Sequence, residues 1–203
     1  MDTIVLGALA RWPNVPDVHH WLMLDARGRY RLRAADYASS GRFELIGNPS
    51  ISEFIGRNYQ SDAHGRWYFQ NGPQRVFVRL AVTPWIFRCE RGYLPLTHTG
   101  RPATRIEGLW IDDLARPIML TDLGPGAVDD RDLGHITDAL TDGDGQSVGD
   151  ASLERWLALP ASRPLLFWWA GARHIVQSIR HDDLAARFGF DADPAQPSVT
   201  SPA

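Results

Sequence analysis

GRWYFQNGPQRVFVR (Gly65–Arg79) packs four aromatics, three arginines and three carboxamides into fifteen residues. Asn71, Gly72 and Pro73 split it into two short runs of aromatic and β-branched residues, the pattern of a tight hairpin. In the second run Val76, Val78 and Leu80 alternate with Arg75, Phe77 and Arg79. That period of two gives one core face and one partly wet Arg–Phe–Arg face. So many planar hydrogen-bonding groups on one ribbon either brace the fold or hold something.

Upstream, Trp21-Leu22-Met23-Leu24 runs into Asp25-Ala26-Arg27-Gly28-Arg29-Tyr30, with Asp heading a turn and Gly near its end. Asp62-Ala63-His64-Gly65-Arg66-Trp67 repeats the phrase, and Asp112-Asp113-Leu114-Ala115-Arg116 echoes it. Their uneven spacing speaks against a repeat array, so they read as corners of one curled sheet. Asn48-Pro49 signals a helix start, with Ser50 and Glu53 spaced as a capping box one position later. Ile51, Phe54 and Ile55 then form an apolar stripe facing the sheet.

Beyond residue 122 the pattern shifts. Asp129 or Asp130 caps a helix carrying Leu133, Ile136 and Leu140, and Thr141 to Gly149 reads as a flexible connector. Asp150 opens a helix with Leu153, Trp156 and Leu157 inward. Leu165 to Ile179 reads as a hairpin turning near Ala170-Gly171, and Asp182 starts a terminal helix. The expected fold is α+β: a curved, largely antiparallel sheet of hairpins, with short helices on one side and at the C-terminal end. One domain is expected over 1–190, hairpin-rich over 11–121 and mixed over 122–190, with a disordered tail over 191–203. Trp21, Leu24, Phe54, Ile55, Val76, Val78, Leu80, Trp110 and Leu133 are the expected core.

Composition narrows the chemistry. At 203 residues with a formal charge of −3, the chain lacks the basic character of a nucleic-acid-binding domain. All 21 basic residues are arginine, which removes a Schiff-base lysine, a phosphate-loop lysine and a Ser–Lys dyad. An anion site must therefore use guanidinium forks or backbone N–H groups. Cys89 is the single cysteine, so intrachain disulfides and thiolate zinc clusters are excluded, and a small buried thiol is expected there. The apolar run within Met1 to Leu9 is too short for a secretory signal, and Leu165 to Ala170 is far short of a membrane span. A cytoplasmic protein is expected.

Three sites compete. In the ribbon, Arg66, Trp67, Gln70, Asn71, Gln74 and Arg75 would hold a planar polar ligand, or else satisfy backbone groups and cover aromatic rings. In Leu96-Thr97-His98-Thr99-Gly100, His98 would carry a proton, or else simply brace a turn. Asp129, Asp130, Asp132 and His135 would ligate a metal, or else complement a helix start. Asp142-Gly143-Asp144-Gly145 fails as a calcium loop, because Ser147 and Leu153 stand where Gly and Glu are needed. No GxSxG, GxGxxG or phosphate-loop phrase occurs, and no cofactor is implied. The leading expectation is a non-enzymatic binding module for a partner protein or small anionic ligand, with no membrane role. The alternative is a hydrolase using His98 with the Asp129/Asp130/His135 cluster, by acid–base or metal-assisted chemistry. Single-stranded nucleic acid on the Arg–Phe–Arg face is a third reading, opposed by the acidic balance.

RWPNVPDVHHWLMLDARGRYRL (Arg11–Leu32), FIGRNYQSDAHGRWYFQNGPQRVFVRLAVTP (Phe54–Pro84), LTHTG (Leu96–Gly100) and LGPGAVDDRDL (Leu123–Leu133) resemble a family of uncharacterised bacterial proteins known only as a domain of unknown function. The resemblance covers about the first 140 residues. It implies a small cytoplasmic bacterial protein, and brings no activity, substrate or cofactor with it.

Overall fold

A computed structural model of the chain describes residues 1–160 and 163–195. Its strands turn at Asp-headed corners. β1 (Val18–Leu24) runs into Asp25 and returns as β2 (Tyr30–Arg33). The Asp25 N–H donates to the Arg29 carbonyl at 3.0 Å, while the Asp25 carboxylate accepts from the Arg29 N–H at 3.0 Å and Nε at 2.9 Å. The same corner, at Asp62 and Arg66, joins β4 (Tyr59–Ser61) to β5 (Trp67–Asn71). It recurs at Asp112 and Arg116 between β9 (Ile106–Asp112) and β10 (Pro117–Thr121). The expected connector at Asp142 is a fourth copy with Gln146 in place of Arg, and Thr97–Arg101 is a fifth with a hydroxyl acceptor. In each, one side chain satisfies the backbone N–H groups that a tight corner strands, which is why the phrase recurs.

Met1–Asp25, Arg29–Ala81 and the chain from Gly189 form one compact unit, and Ala26–Gly28 with Val82–Phe188 form a second. The first carries α1 (Thr3–Arg11), α2 (Tyr37–Ser40), α3 (Pro49–Arg57) and a six-stranded sheet. With β3 (Phe43–Leu45) and β6 (Gln74–Leu80), its order is β3-β2-β1-β6-β5-β4. β1 and β6 are parallel, and the other pairs antiparallel. The Asn48 side chain caps α3 by accepting from the Ser50 N–H at 3.0 Å, so the cap lies at Asn48 and not at Ser50.

Leu24, Ile55, Val78 and Leu80 are buried as expected, but Trp21 is 52% exposed. His20 at φ +59° and a register shift between Val18 and Leu22 bulge the strand there, which re-aims the following side chain. Residues 191–195, placed in the expected tail, are tied to this sheet. The Leu80 N–H donates to the Ala192 carbonyl at 2.8 Å, and Asp191 N–H to the Gly65 carbonyl at 3.0 Å. The rest of that tail, 196–203, lies outside the described residues.

The second unit adds β7 (Trp85–Arg88), β8 (Leu96–Thr97), β11 (Gly124–Val128), β12 (Leu140–Asp142), β13 (Leu165–Trp169) and β14 (Ala172–Ile179). Its sheet runs β12-β13-β14-β9-β10-β11-β7-β8, with β14/β9 and β11/β7 parallel. The chain is therefore α+β, with its strands divided between two mixed sheets. The β13–β14 hairpin turns at Ala170-Gly171 as expected. α4 (Leu133–Thr137) is shorter than expected, because Leu140 is buried in a strand opposite Phe167. α5 (Asp150–Ala158) and α6 (Leu184–Phe188) complete the unit. Among the described residues no helix is long and apolar enough to cross a membrane.

Candidate functional site

The pleat divides the ribbon residues between two faces. Register places Trp67, Asn71 and Gln74 with Phe69 and Val76, and Arg66, Gln70 and Arg75 with Tyr68 and Phe77. On the Tyr68–Phe77 face Arg66 and Gln70 are hydrogen-bonded, while Arg75 has a ring contact and no hydrogen bond among the described residues. Arg66 Nε donates to Asp62 at 2.8 Å, and the guanidinium lies 4.8 Å over the Phe77 ring. Gln70 is 1% exposed and its amide donates to the Gly72 carbonyl at 2.9 Å. Arg75 lies 5.0 Å over Tyr68. The Arg66 and Gln70 bonds tie side chains to the hairpin and its corner. Phe77 is itself buried, stacked 4.6 Å from His19, so the Arg–Phe–Arg face offers no open ring for a base.

The opposite face is open. A cavity of about 570 Å³ lies there, within the size range of small-molecule sites. Ten of its twelve lining residues are apolar or aromatic, and the other two are Asn71 and Gln74. The α3 stripe forms one wall: Ile55 is buried, Phe54 meets Phe69 edge-on at 5.4 Å, and Ile51 is exposed. Trp21 and Leu32 supply further exposed apolar surface. The Asn71 carboxamide makes no hydrogen bond among the described residues. Gln74 Nε2 donates to the Pro16 carbonyl at 3.0 Å, which leaves its oxygen as an acceptor. No charged side chain lines this cavity. Trp67 stays outside it, its ring 4.8 Å from that of Tyr59.

The residues of the hydrolase reading sit in the second unit, with their three aspartates already paired to arginines. Arg131 fixes the buried Asp129 through Nε at 2.9 Å and a terminal nitrogen at 2.6 Å, and this pairing holds the carboxyl down to about 2 against the effect of burial. Asp130 is held by Arg27 at 2.6 Å. Asp132 accepts from Arg88 Nε at 2.7 Å and the Cys89 N–H at 2.9 Å. His135 is exposed. His98 is half-buried against Trp85, with Nδ1 3.4 Å from the Ile86 N–H. Among the described residues no three His, Cys, Asp or Glu side chains are grouped to hold a metal ion. Burial pushes the Cys89 thiol up to about 12, with Asp132 adding to it, so it stays protonated near neutral pH.

The model of the family DUF2944, described as "Protein of unknown function (DUF2946)", matches residues 1–195. The chain belongs to this family. The DUF2944 match reaches well past the first 140 residues that carried the resemblance in sequence. No curated protein matches the chain. Among solved structures, a DUF1285 family protein from Silicibacter pomeroyi DSS-3 is similar, with a TM-score of 0.51 and 13% identity. The similarity covers 88% of this chain and 97% of that one, and at this identity it speaks for the fold alone. Of the residues that line the apolar cavity, Asn71 and Gln74 were legible as candidates and Trp21, Leu32 and Ile51 were not. The usable signal was Leu32 between Arg31 and Arg33, an apolar residue alternating with charge on a short strand.

Proposed function

We propose that this protein is a non-enzymatic binding module of the bacterial cytoplasm whose first unit takes a small, uncharged, largely apolar molecule. One observation carries the reading: a ligand-sized cavity has an apolar lining, two carboxamides and no charge. Burying a charged ligand against such a lining would cost several kcal/mol in lost hydration. Asn71 and the Gln74 oxygen would orient a neutral polar end, while covering the exposed parts of Trp21, Leu32 and Ile51 would drive binding by about 1 kcal/mol each. The ligand differs from the anion expected from sequence because the guanidiniums of Arg66 and Arg75 stand on the other face.

N-phenyl-1-naphthylamine, a neutral apolar fluorophore, tests this by titration. Saturable binding is expected, weakened about tenfold by Leu32→Asp, with circular dichroism unchanged. Equal binding by wild type and Leu32→Asp overturns the reading, as does tighter binding of an anionic naphthalene sulfonate. A dimer in light scattering that Leu32→Asp dissociates would assign the cavity to a second copy instead.

A further inference from the structure

We infer that the second unit carries a separate site for a small organic monocarboxylate with an apolar body. A cavity of about 480 Å³ lies at the carboxyl ends of the adjacent parallel strands β9 and β14, beside α5. The two strands and the residue after each contribute Trp110 to Asp113 and Gln177 to Arg180, α5 contributes Trp156, and α6 contributes Arg187. Trp110 and Trp156 are 5% and 6% exposed and form an apolar floor, while Arg180 and Arg187 are exposed at the rim.

This cavity brings together two arginines that hold no carboxylate among the described residues. In the same unit Arg88, Arg105, Arg116 and Arg131 each hold a carboxylate at 3.1 Å or less. Arg180 and Arg187 both line the cavity, and among the described residues neither has a carboxylate within ion-pair distance. The Arg187 guanidinium lies 5.8 Å from the Trp110 ring centre and 5.9 Å from that of Phe188, and its N–H donors make no hydrogen bond among the described residues. Two such forks are suited to a carboxylate.

The acidic residues set the charge of the guest. Asp112 is spent on Arg116 and the N–H groups of Leu114 and Arg116, and Asp113 accepts the His181 N–H at 2.7 Å. Both line the cavity with Asp183, so three carboxylates stand against two guanidiniums, and each added negative charge on the guest meets more repulsion. A dianionic phosphate is therefore disfavoured, and a monoanion with a ring or aliphatic body over the indoles fits best.

Calorimetric titration of the full chain with phenylacetate, phenylacetamide and inorganic phosphate separates the possibilities. Phenylacetate should bind at least about tenfold tighter than either of the others, since the amide removes the charge and phosphate adds one. Arg180→Gln combined with Arg187→Gln should lower phenylacetate affinity by about tenfold or more. Circular dichroism and the urea midpoint should match wild type in that variant, which reports its fold, and unchanged N-phenyl-1-naphthylamine binding keeps the two sites distinct. Arg180→Gln alone, leaving the Arg187–Trp110 stack in place, should give a smaller loss in the same direction. Phenylacetamide binding as well as phenylacetate, preference for phosphate, unchanged affinity in the double variant, or no saturable binding of phenylacetate would each overturn the inference.

Discussion

The two units share a strand plan and differ in what covers it. β1, β2 and β3 are laid out like β9, β10 and β11, and β4, β5 and β6 like β12, β13 and β14. In each unit the first strand of the first trio runs parallel to the last strand of the second. The correspondence holds residue by residue near the Asp corners. Leu22 pairs with Leu32 on one side and Val78 on the other, and Leu109 pairs with Met119 and Val176. Asp25 and Asp112 turn the first hairpin of each unit, while Asp62 and Asp142 follow the equivalent strands β4 and β12. The covers diverge. Arg66 runs straight into β5, whereas α5 intervenes between the Asp142 corner and β13, and β7 and β8 extend the second sheet past β11. The apolar cavity lies against α3 in one unit, and the Arg180/Arg187 cavity lies beside α5 in the other. A shared skeleton thus fixes strands and corners, and the elements laid over it decide what each unit can hold.

If the corners are equivalent in kind, their aspartates should rank by burial and partner. Asp112 has a side chain 0% exposed, and its removal strands the Leu114 and Arg116 N–H groups together with the Arg116 guanidinium. Asp112→Ala should cost about 3 kcal/mol in urea unfolding, against about 1 kcal/mol for Asp142→Ala, which is only half-buried, at an exposed corner that lacks an arginine. Equal losses would show that the guanidinium adds nothing to the corner.

The glycine of the corner sharpens the comparison in the first unit. Gly65 holds φ +73°, and a Cβ there would run into the Gly189 carbonyl. Gly65→Ala should cost about 2 kcal/mol or more, since both the backbone conformation and the docked C-terminal segment oppose it. A loss under about 0.5 kcal/mol would mean that this segment gives way readily.

A third contrast lies where the third strand of each trio meets its helix. Asn48 caps α3, while Asp129 accepts from the Arg131 N–H and pairs with its guanidinium before α4. The Asp129 carboxyl titrates near 2 in the folded chain, below its unfolded value of about 3.9. Its contribution is therefore complete above about pH 5 and is lost progressively as pH falls towards 2. The stability gap between wild type and Asp129→Asn should narrow between pH 5 and about 2.5, whereas the gap for Asn48→Ala should not move. A constant gap for Asp129→Asn would show that the carboxylate acts as a neutral cap.

What could be read from sequence follows the range of the forces involved. The Asp-Gly-Arg corners, the Asn71–Pro73 turn and the α3 stripe were legible because each is settled within a few residues. The division into two sheets was not, because it depends on parallel pairing of β1 with β6 and β9 with β14, strands far apart in the chain. Trp21 was misplaced by a bulge at a non-glycine residue, which leaves no compositional mark. Alternation divides the ribbon residues, placing Arg66, Gln70 and Arg75 on the face opposite the apolar cavity. The Arg180/Arg187 cavity joins β9, α5, β14 and α6, and no local phrase connects them.

The smallest expected effect tests whether the faint third copy of the corner is the same object as the clear ones. Ala115 stands where Gly28 and Gly65 stand, at φ +59° against +73° for both glycines. An L side chain in that region costs about 1–2 kcal/mol, and the extra freedom that glycine gives the unfolded chain returns about 0.5–1 kcal/mol of it. Ala115→Gly should therefore stabilise by about 0.5 kcal/mol, visible as a raised urea midpoint with an unchanged slope. The gain should vanish in an Asp112→Ala background, because without the carboxylate the corner is free to relax to negative φ. A stabilisation that persisted there would trace the effect to local backbone strain alone, and would separate this corner from its counterparts at Asp25 and Asp62.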